Sequence, residues 1–104
     1  MLNLPVIKVP AYILRDVFNK SELVRLTGTG ELSALVRRDA IVRHPERIGE
    51  VAGTRSQLVR YIDADGELLV EVHQYLRPDG SLGASGLPDP KRMRVGDEIW
   101  VAMD

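Results

Sequence analysis

Apolar positions in the second half of the chain alternate by two, the spacing of strands with one face turned inward. The clearest case is a hairpin of residues 54–62 with residues 67–76. Between them Asp63-Ala64-Asp65-Gly66 fits a type I loop, with Gly66 supplying the left-handed bulge position. Opposing Asp63 and Glu67 around that loop sets Ile62 against Leu68 and Leu58 against Val72. Leu58, Ile62, Leu68, Val70 and Val72 then form one face, on which Arg60 must bury its stem and free its head. The other face carries Leu69, Glu71, His73 and Tyr75, with Glu71 against Val59 and His73 against Gln57. A last strand is expected over Glu98–Met103, after a tight turn at Gly96-Asp97.

The first half carries longer periods. Residues 2–9 read as an edge strand, because Pro5 and Pro10 each remove a backbone donor. Residues 11–26 are helical in part, with Tyr12, Ile13, Val17, Phe18 and Leu23 as an uneven stripe and Ser21 placed to restart a helix. The TGTG run at 27–30 is a break. Residues 31–42 make the best helix by pattern, with Leu32, Leu35, Val36 and Ala40 at three- and four-residue spacing, although Ala40-Ile41-Val42 also reads as strand. His44-Pro45 turns the chain away from helix. The expected fold is a small single α+β domain over residues 1–104, with an antiparallel sheet built on the 54–62/67–76 hairpin and one or two helices in the first half.

Composition fits one core. The chain has 104 residues, 44% hydrophobic and 28% charged, with five aromatics, so the core must be mainly aliphatic. Net charge is -1, yet residues 1–62 hold ten Lys/Arg against six Asp/Glu, and residues 63–104 hold four against nine. Cysteine is absent, which excludes a disulfide framework and a thiol nucleophile. The apolar start lacks the features of a signal peptide and no run reaches membrane-spanning length, so a cytoplasmic protein without membrane contact is expected.

Candidate chemistry gathers in residues 71–94. Strand alternation would set Glu71, His73 and Tyr75 on one face, about 6.6 Å between successive members. Glu71 would polarise His73, leaving it a general acid or base near neutral pH, while Tyr75 and Arg77 orient an anionic group. A long ordered or semi-ordered loop at 79–91 follows, with a turn at Arg77-Pro78-Asp79-Gly80 and a stiff corner at Leu87-Pro88-Asp89-Pro90. Its Ser85 and glycine amides, with Lys91, Arg92 and Arg94, could cradle an anion. The order of glycines and lysine does not match a phosphate-binding loop. The acidic run Asp63–Glu67 lacks calcium-loop spacing and reads as a turn. Arg37, Arg38, Arg43 and Arg47 form a second basic region, without any helix-turn-helix, zinc-finger or stacking motif.

The first functional expectation is therefore a non-catalytic module that binds another macromolecule, a protein partner foremost, through the 71–94 surface or the 37–47 region. The alternative is a metal-independent phosphodiester hydrolase or ribonuclease using His73, with RNA supplying its own 2′-hydroxyl. A third is a structural subunit of a homo-oligomer, a homodimer being one form of it. No cofactor and no metal is implied.

Overall fold

In the computed structural model, which describes residues 3–103, the hairpin expected from alternation lies in the middle of a six-stranded sheet. The strands are β1 (Val6–Pro10), β2 (Ser33–Ile41), β3 (Arg55–Ile62), β4 (Leu68–Leu76), β5 (Asp89–Val95) and β6 (Glu98–Met103), in spatial order β1-β6-β5-β4-β3-β2. Only β1, which pairs with β6, runs parallel to its neighbour. Leu2, the first residue of the segment expected as an edge strand, lies outside the described residues. The edge strand itself is present but begins only at Val6: β1 is an edge, and Pro10 ends it and leads straight into α1 (Ala11–Asn19).

The α1 helix places Leu14 and Phe18 one turn apart, and both are fully buried. It lies over β5, β6 and β1. Ser21 then acts as the sequence suggests. Its Oγ accepts from the Leu23 N–H at 3.2 Å as the chain enters the short α2 (Leu23–Leu26). Leu23 and Val24 pack on the same core as Leu14 and Phe18. Tyr61 reaches from the sheet to donate its hydroxyl to the Thr27 carbonyl at 3.2 Å, fixing the end of this helical layer.

Residues 31–42 are not a helix. They form β2, antiparallel to β3, and every residue of the strand is exposed. The helix-like stripe through Leu35, Val36 and Ala40 arises because the strand has no buried face to enforce alternation, while Leu32 precedes the strand and packs against the core. Its β-branched Val36 and Ile41 suit the extended chain, and pairing with β3 satisfies the backbone.

The hairpin register is the second correction. Ile62 does oppose Leu68, but a bulge beside Ile62 shifts the rest of the ladder by one residue. Val59, not Leu58, opposes Val72; Tyr61 opposes Val70; Arg60 opposes Glu71; Leu58 opposes His73. Residues paired across a ladder share a face. Val59, Tyr61, Val70, Val72 and Met93 therefore meet Leu14 and Phe18 in the core. Arg60 and Leu58 turn to the opposite side, which removes the buried arginine that the unshifted register required. Neither α-helix packs on that opposite side; the candidate site joins it, along β4 and β5, to Arg15 and Asn19 of α1.

Candidate functional site

The open face is laid out in cross-strand rows. One row runs Arg60, Glu71, Arg92 and Val101 over β3, β4, β5 and β6. The next runs Arg38, Leu58, His73 and Asp89, and beyond it Ala40, Ser56 and Tyr75. Alternation thus does place Glu71, His73 and Tyr75 on one face. The His73 and Tyr75 rings meet edge to face with centroids 4.8 Å apart. Glu71 is not the partner of His73: Arg60 takes it, with Nη2 and Nε at 2.7 and 2.8 Å from Oε2. Glu71 is buried, and so placed it neutralises Arg60 rather than polarising the imidazole.

The partner of His73 is Ser56. Its Oγ lies 2.8 Å from His73 Nε2, within a hydrogen bond whose direction depends on the tautomer. His73 is half-buried, and its pKa falls below the ordinary histidine value because burial penalises the imidazolium. The Lys91 ammonium, and more weakly the Arg38 guanidinium, push the same way against Asp89. At neutral pH the ring is therefore uncharged and able to accept a proton.

A bulge in β5 between the partners of Glu71 and Val72 brings Lys91 beside Asp89, Nζ to Oδ2 being 3.0 Å. Asp89 also receives Arg15 Nε from α1 at 3.3 Å. Arg15 and Asp89, though not Lys91, border a cavity of about 580 Å³ also lined by Asn19, His73, Gln74, Tyr75 and Ser85. Ser85 Oγ accepts from the Leu87 N–H at 3.4 Å. A second cleft, about 290 Å³, lies against Arg60, Arg92 and Arg94 with Leu68 and Ile99 beneath. Arg94 Nε donates to the Gly96 carbonyl at 3.4 Å. Among the described residues no carboxylate lies within ion-pair distance of Arg92.

Arg77 is used otherwise than as a free anion clamp. Its Nε and Nη2 bond Glu50 Oε1 and Oε2 at 2.8 and 3.3 Å, and the Glu50 side chain is 2% exposed. The Ala84 N–H adds a third bond to Glu50 Oε2 at 2.8 Å. Arg77 first, and then this amide, hold the Glu50 carboxyl below the usual carboxylate range. Gly83 packs so closely that a Cβ there would stand 2.5 Å from Glu50 Oε2.

The segment after β4 is thus ordered around a buried carboxylate. The expected turn at 77–80 is present, with the Gly80 N–H donating to the Arg77 carbonyl at 2.9 Å. The expected corner at 87–90 is half wrong: Asp89 and Pro90 already belong to β5, where Pro90 is buried opposite Val72. The loop therefore ends at Pro88. At Asp63 the carboxylate accepts the Asp65 and Glu67 amides at 2.9 Å each, which makes it a turn cap.

Sequence reasoning singled out His73, Tyr75, Lys91 and Arg92, and the fold sets all of them in β4 and β5. It missed Ser56, Asp89, Arg15 and Glu50. The Ser56 pairing was one residue out of reach in the unshifted register. Arg15 comes from a helix 74 positions away from Asp89, and no local pattern links them. No family model matches the chain, and neither a curated protein nor a solved structure resembles it.

Proposed function

We propose that the open sheet face binds RNA and cleaves its phosphodiester backbone, with His73 as the general base. The observation that carries this reading is a single uncharged histidine, hydrogen-bonded to a hydroxyl at 2.8 Å, beside a cavity and among cations. A histidine buried among apolar groups would support none of it. In the productive tautomer Nε2–H donates to Ser56 Oγ, and Nδ1 takes the proton of the ribose 2′-hydroxyl. The 2′-oxygen attacks phosphorus and the bond to the 5′-oxygen breaks, with Tyr75 the candidate donor of the proton that oxygen takes up. Products are a 2′,3′-cyclic phosphate and a free 5′-hydroxyl. Lys91 and Arg92 offset charge gathering on the non-bridging oxygens.

The chain carries little aromatic surface, so affinity would come from phosphates rather than from stacked bases. RNA as substrate accords with the cytoplasmic location expected from the sequence. Among the described residues no helix is long and apolar enough to cross a membrane.

The test is cleavage of a DNA oligonucleotide carrying one internal ribonucleotide, with the all-DNA strand as control. Cleavage should occur only 3′ of the ribonucleotide and leave a cyclic phosphate. His73→Gln should lower kcat by about 10²–10⁴-fold with the circular dichroism spectrum unchanged. A wild-type protein that cuts neither strand, or a His73→Gln protein as active as wild type, would sink the proposal.

A further inference from the structure

The two edges of the sheet are finished differently. The β1 edge is closed by Pro10, which offers no N–H to an incoming strand. The β2 edge holds no proline; it carries one bulge, between Val36 and Arg38. The Val42 N–H points inward to the Thr54 carbonyl at 2.9 Å, so alternation turns the amides of Ile41 and Asp39 outward. Leu35, Val36 and Ile41 are 48%, 58% and 58% exposed, Leu35 on the open face and the other two on the covered side.

The charge around this edge is one-sided. Among the described residues no carboxylate lies within ion-pair distance of Arg37, Arg38, Arg43 or Arg47. Of the local acids, Asp39 is taken up, its Oδ1 binding Arg55 Nε at 2.7 Å, while Glu46 is exposed beside His44. Pairing β2 with a second copy would bring two such arginine sets together, and the one carboxylate within the strand, Asp39, is already held by Arg55.

We propose that β2 accepts an extended protein segment, alternating acidic and aliphatic residues, as a seventh strand. The backbone ladder supplies pairing, Val36 and Ile41 meet the aliphatic side chains on the covered side, and Arg38 on the open face selects the acidic ones. This surface is independent of the RNA reading, because it rests on the strand edge and not on His73.

The probe is a fluorescein-labelled peptide of alternating glutamate and valine, matched to the nine residues of β2, beside the same peptide with lysine for glutamate. Fluorescence anisotropy should detect saturable binding of the acidic peptide alone. NMR hydrogen exchange should then find the Asp39 and Ile41 amides protected. Replacing Arg37 and Arg38 by glutamate should weaken binding at least about tenfold. Val36→Lys, an exposed change that leaves the core untouched, should weaken it as well. Equal binding of both peptides, or protection confined to other residues, overturns the proposal. So does a dimer whose Asp39 and Ile41 amides are already protected without peptide. Displacement by oligouridylate with those amides never protected would reassign the arginines to nucleic acid.

Discussion

On the covered side of the sheet, Val59, Tyr61, Val70, Val72 and Met93 meet Leu14 and Phe18 with almost no exposure. On the open side the same central strands present Ser56, Leu58, Arg60, Glu71, His73 and Arg92. Each strand residue is adjacent in sequence to one with the opposite duty, so the two faces cannot be optimised separately. The bulge beside Ile62 decides which set goes where. Without it, Arg60 would enter the core and Tyr61 would leave it. The contrast teaches that stability and chemistry are divided by parity along β3 and β4, and it makes sharp claims about substitutions.

The largest effect belongs to the covered face. Phe18→Ala removes a fully buried ring from a core with few aromatics, and should cost about 3–5 kcal/mol of unfolding free energy. Chemical denaturation measures this directly. The open-face change His73→Gln should alter the same unfolding free energy by less than about 1 kcal/mol. If His73→Gln destabilises as much as Phe18→Ala, the imidazole belongs to the core and the division by face is wrong.

The next effect tests the one buried charge that sits outside both faces. Glu50 anchors the loop after β4 through Arg77 and the Ala84 amide. Glu50→Gln weakens the ion pair and should lower the thermal midpoint by roughly 5–10 °C at pH 7. Because the folded-state pKa is depressed, the unfolded chain takes up the proton first as pH falls. The stabilisation is whole above the ordinary carboxylate value of about 4.3 and is lost as pH drops through the lower folded value. The difference between wild type and Glu50→Gln should accordingly narrow below that pH. A gap that stays constant from pH 7 down to about 3 would mean the charge of Glu50 contributes nothing.

Much of this was legible in the sequence, and the failures share a cause. Strands with a buried face announced themselves: Val70 and Val72 alternate because each must pack inward, and Gly66 marks the turn through its positive φ of 81°. Glu98–Met103 was legible instead from its apolar run after the Gly96-Asp97 turn, since none of its residues is fully buried. β2 has no buried face, so its composition carried no period and a helical stripe arose by chance. The bulge beside Ile62 left no mark in residue type, yet it moved Ser56 to His73 and Arg60 to Glu71. Glu50 was invisible because its partners lie 27 and 34 positions away. Local pattern reports burial; it does not report which distant groups meet.

The smallest effect is also the most specific to the open face. His73 is depressed first by burial and then by Lys91, whose ammonium is held beside Asp89. Lys91→Ala deletes a cation and frees Asp89 from one of its two partners, and both changes favour the imidazolium. Burial, the larger cause, remains. The folded pKa should therefore rise toward the ordinary value of about 6.5 without passing it. Activity that needs neutral His73 falls on the acid side, so the acid limb of kcat/KM should move to higher pH in Lys91→Ala. The His73 Cε1 proton shift in NMR should follow the same displacement, since it reports the ring and not the rate. A limb that moves while the imidazole titration stands still would assign the limb to another group. If neither moves, Lys91 does not act on His73, and the coupling between β4 and β5 that defines this face fails.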